Sequence, residues 1–172
     1  MTVAVRDCRA SPKDRQALAV FYGQYLVDLA PQGTGAFPVL GEIGHRAPDL
    51  LASWFSDSSA QILTILRDNQ PAGFALVRVR HAATAGAPDE YTMAEYFIAR
   101  QCRLHGVGRA SVRLIFDRYA GRWHVMEYTR NAGAVVFWRK VVREYTNGKY
   151  QERAGSGEVH QYFETSPQPV RS

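Results

Sequence analysis

Apolar positions in this chain change their period several times, and each change marks an element. From Thr2 to Arg6 apolar and polar residues alternate, the period-two pattern of a half-buried strand. Ser11-Pro12-Lys13-Asp14 then reads as a helix start. Serine stands at the cap, proline at the first helical position and an acid in the first turn. Leu18, Phe21, Tyr22, Tyr25, Leu26 and Leu29 recur at helical spacing, so this helix packs by one face and ends near Pro31. Glycine and proline crowd Pro31 to Gly44, which predicts a loop. A short helix is expected over Pro48–Phe55, with Trp54 and Phe55 as core residues. Gln61–Arg67 is apolar and β-branched, Asp68-Asn69-Gln70-Pro71 predicts a turn, and Ala72–Val79 returns as the hairpin partner. A loop over His81–Asp89 leads into the β-prone run Tyr91–Ile98.

Helical spacing resumes from Val107 to Tyr119. Val107, Ala110, Ser111, Leu114 and Ile115 define one face, and Gly121 is the expected stop. Trp123–Tyr128 reads as a strand and Asn131–Tyr145 as a helix. Asn147-Gly148 is a turn signal, and two last strands follow, Lys149–Arg153 and Glu158–Glu164. With no repeat and no linker, one domain is expected over 1–165, with a frayed tail over 166–172. The element order is β-α-α-β-β-β-α-β-α-β-β.

The chemistry centres on Arg103-Leu104-His105-Gly106-Val107-Gly108-Arg109-Ala110, where a strand runs into glycines that open a helix. Free N–H groups at a helix start point outward and the helix dipole favours an anion there. The loop is neither of the two commonest phosphate motifs. It lacks the Lys-Ser/Thr of a P-loop, and Ser111 stands where a dinucleotide fingerprint has its third glycine. By itself, Gly-x-Gly is explained equally well as a tight strand-to-helix turn.

Composition narrows the classes. At 172 residues, 46% hydrophobic and 22% charged, the chain suits one soluble domain. No apolar stretch has the length of a membrane span and the first residues do not form a targeting block. Cys8 and Cys102 make no disulfide framework, which points to a cytoplasmic protein with reduced thiols. His45, His81, His105, His124 and His160 have no metal-ligand spacing, so no metal is expected. The net charge of +5 and the arginines between Arg100 and Arg122 raise nucleic-acid binding as a reading. No zinc-finger spacing, RNP-type aromatic motif or basic arm supports it, and a phosphate-binding loop accounts for the charge more economically.

Arg103-x-x-Gly106-x-Gly108 resembles the Arg/Gln-x-x-Gly-x-Gly/Ala loop of the GNAT superfamily of acetyl-CoA-dependent N-acyltransferases. Downstream, Asn131-x-x-Ala134-x-x-Phe137-Trp138-Arg139-Lys140 resembles that family's Asn-x-x-Ala-x-x-Leu/Phe-Tyr-x-Lys segment, in the same order. The likeness is specific over Tyr91 to Val142. It implies an α/β (α+β) fold, a mixed, mostly antiparallel sheet of about seven strands with about four helices. It also implies that the strands flanking the cofactor helix splay apart to admit acyl-pantetheine. Acetyl-CoA is the implied co-substrate. Its pyrophosphate would lie on the N–H groups of Leu104, His105, Gly106, Val107, Gly108 and Arg109, with Arg103 beside them. Phe97 and Ile98 would meet the pantetheine arm, and Asn131, Phe137 and Trp138 would line it.

An attacking amine must be neutral, so a general base is expected. Glu95, three residues before Ile98, is the first candidate and Glu127, four before Asn131, the second. The alternative for Glu95 is a carboxylate satisfied by a neighbouring arginine or by solvent, and for Glu127 it is pairing with Arg130 or Arg100. Many relatives carry a tyrosine that protonates the thiolate where this chain has Trp138, and an indole N–H cannot deliver a proton as a phenol can. Tyr145, Tyr128 or water would then supply it. The resemblance assigns acceptor recognition to Tyr22, Tyr25, the 31–44 loop with Phe37 and Glu42, and the Gly155–His160 turn. An acid such as Asp28 or Glu42 is a candidate to attract a cationic amine. A small-molecule amine is favoured over a protein as acceptor, no membrane partner is expected, and an edge-strand homodimer is left open. The alternative function is a non-catalytic acyl-CoA-binding sensor or partner-binding module.

Overall fold

The computed structural model describes residues 1–30 and 50–166. The 31–44 loop with Phe37 and Glu42, the start of the short helix and the tail from 167 lie outside the described residues. Strand β1 (Val3–Asp7) leads into helix α1 (Pro12–Leu29). A short helix α2 covers residues 50–56. Strands β2 (Ala60–Arg67), β3 (Gln70–Arg80) and β4 (Glu90–Ile98) follow. Helix α3 (Val107–Arg118), strand β5 (Gly121–Tyr128) and helix α4 (Ala132–Thr146) come next. Strands β6 (Gln151–Gly155) and β7 (Glu158–Thr165) close the order.

The seven strands form one sheet in the order β1-β2-β3-β4-β5-β7-β6. Every neighbouring pair is antiparallel except β4–β5, which is parallel. That is the mixed, mostly antiparallel sheet that the family resemblance implies. A parallel pair needs a crossover, and α3 supplies it.

Each sheet face has its own core. On one face α1 and α2 bury Leu18, Phe21, Tyr22, Leu26 and Trp54 against Ile62, Phe74, Leu76 and Phe97. On the other, α3 and α4 bury Val107, Val112, Ile115, Phe116, Trp138 and Val142 against Ile65, Val77, Met93, Trp123 and Phe163. Arg9 fastens α2 to the sheet, donating to the carbonyls of Trp54 (3.2 Å) and Ala60 (3.1 Å). Asp14, fully buried in the first turn of α1, is paired with Arg6 of β1 at 2.6 and 2.8 Å.

Three local expectations are corrected. Gln70 and Pro71 belong to β3, because Asp68 and Asn69, both at positive φ (48° and 63°), complete the hairpin turn alone. Leu114 is 40% exposed, while Val112 and Phe116 are buried. The buried stripe of α3 therefore runs along Val107, Ser111 and Ile115 and leans to the Val112–Phe116 side. Gly121 opens β5 and does not end α3, which stops at Arg118. A Cβ at Gly121 would lie 2.3 Å from the Asp89 carbonyl oxygen, so glycine is required by the close approach of the chain before β4.

Candidate active site

The site is built on an irregularity in β4. Leu76 pairs with Glu95 and Val77 with Met93, so Ala94 is an extra residue in β4. Side chains alternate along a strand, and one inserted residue reverses the faces beyond it. Tyr91 and Met93 point into the α3–α4 core. Phe97 points into the α1 core, and Glu95, two residues before it, shares that face and meets Tyr25 of α1.

The bulge also ends the parallel pairing. β4 pairs with β5 only over Glu90–Met93 against Arg122–Val125. β4 continues to Ile98 on β3, and β5 continues to Tyr128 on β7. From Glu95 and Met126 onward the two strands part, leaving a gap in mid-sheet. The Ala99 N–H bonds to the Ala72 carbonyl (2.9 Å), so alternation turns the peptide groups of Tyr96 and Ile98 away from β3 and toward the gap. Those of Phe97 face β3, where its carbonyl oxygen lies 2.1 Å from the position of a Cβ on Gly73. Main-chain partners at the gap thus come from Tyr96 and Ile98, whereas the sequence pointed to Phe97 and Ile98. The Ile98 carbonyl is already taken by Arg103 Nε at 2.8 Å.

Beyond β4 the chain turns through Leu104 (φ 63°) and Gly106 (φ 77°) into α3. The first helical bond runs from Ala110 N–H to the Gly106 carbonyl, 3.0 Å. The N–H groups of Val107, Gly108 and Arg109 therefore precede the intrahelical ladder and carry the positive end of its dipole. Gly108, already inside α3, matters for close contact rather than for a turn. A Cβ there would lie 3.2 Å from Phe137 and 3.4 Å from the Tyr96 hydroxyl. Tyr96 in turn bonds the Gly108 carbonyl (2.9 Å) and Ser111 Oγ (2.8 Å). Its ring stacks on Phe137 (5.8 Å) and meets Trp138 edge-on (5.2 Å). Asn131 caps α4, accepting from the Ala134 N–H at 3.1 Å. The two motifs, 28 residues apart from Arg103 to Asn131, thus meet across Gly108, Tyr96 and Phe137.

The arginines near the loop are held by acids. Arg100 donates to Asp28 at 2.5 and 2.9 Å, and Arg103 donates to the same carboxylate while lying over the Phe97 ring. Arg109 pairs with Glu144 at 2.8 Å and Arg122 with Glu164 at 3.1 Å. Asp28, considered for an amine, is engaged by these two arginines, which hold its carboxyl below the usual range against the cost of burial. His105 Nδ1 lies 2.6 Å from the Arg103 carbonyl, and Leu104 is fully exposed.

The two candidate bases lie on opposite faces. Glu95, on the α1 face, accepts a hydrogen bond from the Tyr25 hydroxyl. Burial raises the Glu95 pKa above the ordinary carboxyl value, opposed by the Tyr25 bond and the Arg78 charge. Burial and the Glu95 charge push the Tyr25 phenol well up. Glu127 shares its face with Trp123 and Val125, under α4. It is 5% exposed, and both its carboxyl oxygens lack a hydrogen-bond partner. Burial raises its pKa to about 8, helped by Glu152 and opposed by Arg139. Tyr25 is the residue that sequence reasoning placed only loosely, among acceptor contacts. Its partnership with Glu95 spans 70 positions and had no sequence signal.

A splayed parallel pair, a glycine-opened helix beside it and an asparagine-capped helix behind it agree with the description whose model matches residues 30–141, the acetyltransferase (GNAT) family. The chain belongs to the GNAT family. Acetyl transfer is the activity this membership supports. Among solved structures, the chain is similar to a histone acetyltransferase HPA2 and related acetyltransferase from Corynebacterium glutamicum, with 13% identity, TM-score 0.66 and 99% of each chain covered. It is similar to the ribosomal-protein-S18-alanine N-acetyltransferase from Escherichia coli, with 13% identity, TM-score 0.58 and 99% of each chain covered. It is also similar to the PaiA N-acetyltransferase from Thermoplasma acidophilum in complex with coenzyme A, with 8% identity and TM-score 0.56, covering 95% of this chain and 99% of that one. At these identities the likeness is one of fold. No curated protein matches the chain in sequence. No helix among the described residues is long and apolar enough to cross a membrane, and no cluster of side chains there could hold a metal ion.

Proposed function

We propose that this GNAT protein transfers the acetyl group of acetyl-CoA to a primary amine by direct attack in a ternary complex. The observation that carries this reading is the gap opened by the Ala94 bulge, flanked by the dipole end of α3. The pyrophosphate would sit on the N–H groups from Leu104 to Arg109, with anion binding by backbone and dipole, since Arg103 is folded back onto Ile98 and Asp28. The pantetheine arm would run along the open edge of β4, whose free groups are those of Tyr96 and the Ile98 N–H. Asn131, Phe137 and Trp138 would line the far side. An N–H on this edge would stabilise the oxyanion formed as the amine attacks the thioester carbonyl. Phe97 contributes packing from the α1 face.

Glu95 is the base in this reading. A carboxylate raised by burial is better matched to taking a proton from an ammonium than an ordinary surface acid is. Tyr25 holds it, so both substrates are positioned without a covalent nucleophile. Tyr22 is buried against Trp54 and Phe74, which supports a role in shaping the site from behind. The half-buried Tyr25–Glu95 pair suits a small amine better than a protein side chain on a broad surface. A cytoplasmic setting is supported by two free cysteines. The reading is tested by calorimetric titration with acetyl-CoA, followed by a thiol-release screen over small amines. Micromolar binding and release with some amine are expected; no binding at millimolar ligand overturns the assignment.

One observation favours a second reading, a non-catalytic acyl-CoA sensor. Trp138, in the place of the usual tyrosine, is buried against Tyr96 and Phe137. Acyl-CoA binding without transfer to any amine would select it.

A further inference from the structure

We infer that Glu127 is the acid that protonates the sulfur of coenzyme A as it departs, a role that Trp138 cannot fill; this rests on the acyl-transfer reading above. Glu127 stands two residues beyond Val125, the last β5 residue paired with β4, so its strand bounds the open part of the gap. Its side chain is on the α4 face. Across the gap Tyr96 occupies that same face of β4, and Trp138 of α4 leans onto the Tyr96 ring. Glu127 is thus an acid on the side of the gap roofed by the helix that in this family ordinarily carries the donor.

Its surroundings keep it a proton donor without a customer. Both carboxyl oxygens are buried and without a hydrogen-bond partner, as is Gln161 Oε1, diagonal to it on β7. The charged groups facing it are Arg139 from α4 and Glu152 from β6, and these are joined to each other at 2.7 Å. Most of the guanidinium's charge is therefore spent on Glu152, and burial leaves Glu127 protonated at neutral pH. Its pKa of about 8 lies at or below that of a thiol, about 8.5 for cysteine, so transfer of its proton to a departing thiolate is not uphill. The other candidates are less suited. The Tyr145 hydroxyl donates to Asp117 at 2.8 Å, two helical turns from Trp138, and Tyr128 lies on the opposite face from Glu127.

The amine lone pair forms the C–N bond, and the C–S bond breaks with its electron pair passing to sulfur. The Glu127 proton moves to that sulfur, and Glu95 takes the proton from nitrogen. Solvent then exchanges both carboxyls back to their starting forms.

The test needs no acceptor. Coenzyme A bound to the full chain is titrated by ultraviolet thiolate absorbance, in wild type and Glu127→Gln. If Glu127 touches the sulfur, the pair shares one proton, and complete thiolate formation in wild type is delayed by a pH unit or more relative to the variant. A companion measurement uses wild type alone. The infrared carbonyl band of the protonated Glu127 should shift on adding coenzyme A and stay put on adding desulfo-coenzyme A. Equal thiol titrations in two proteins that both bind coenzyme A, or identical bands with the two ligands, overturn the assignment and leave the acyl-transfer reading standing. Failure of wild type to bind coenzyme A or acetyl-CoA at all overturns both.

Discussion

The hydroxyl of Tyr25 in α1 donates to the carboxylate of Glu95 in β4, and the pair exists because of Ala94. Were Ala94 paired regularly instead of bulged, Glu95 would continue the alternation of Tyr91 and Met93 and point into the α3–α4 core. The same insertion opens the gap and turns the acid to the face where α1 can hold it. Replacing Glu95 by glutamine is expected to lower turnover about a hundredfold, within the range for loss of a general base, with acetyl-CoA affinity unchanged. Tyr25→Phe removes a bond that favours the carboxylate, so the acidic limb of the rate profile should move to higher pH. Steady-state kinetics across pH, once an acceptor amine is found, check both; an unmoved limb would remove Tyr25 from the base pair.

Gly106 sits at φ 77° where the loop meets α3. Aspartate there would combine backbone strain with a negative charge at the dipole end proposed to receive the pyrophosphate. Gly106→Asp should weaken acetyl-CoA binding at least tenfold while circular dichroism stays native. Wild-type affinity measured by calorimetry would refute the loop assignment.

Glu127 ties stability to pH. Its pKa in the folded chain is raised to about 8, whereas an unfolded glutamate titrates near ~4.3. Between those values the folded state binds more protons than the unfolded state, so stability is greatest at the acidic end and falls as pH rises toward 8. The slope from this group is at most about 1.4 kcal/mol per pH unit. Glu127→Gln should flatten it. Urea unfolding at pH 5, 7 and 9 reads the difference, and parallel profiles for the two proteins would show that Glu127 does not titrate as described.

Gly73 lets β3 and β4 approach at Ile98, the end of β4 that borders the gap. A Cβ on it would stand 2.1 Å from the Phe97 carbonyl oxygen, and backbone cannot yield as a flexible side chain can. Gly73→Ala is expected to cost about 1–3 kcal/mol in denaturant unfolding, the usual scale for overpacking. It should also weaken acetyl-CoA binding by shifting Ile98. Unchanged stability would mean that the strands part freely at this point.

Much of this protein was legible in its sequence. The element order followed from changes of hydrophobic period, and the glycine loop with its asparagine-capped partner segment was enough to suggest the family that the comparisons then showed. Both are local signals, since a helix face or a left-handed glycine is dictated within a few residues. What lay beyond reach depended on pairing between distant segments. Ala94 has no mark of a bulge, because its insertion is defined only against Leu76 and Val77 on another strand. The same holds for the close approaches at Gly73 and Gly121, for the capture of Arg100 and Arg103 by Asp28, and for the Tyr25 bond to Glu95. Glu95 and Glu127 look alike as acids in strands. The tertiary structure gave one a phenol and the other an unpartnered, buried setting, because desolvation and hydrogen bonding are properties of what surrounds a residue in space.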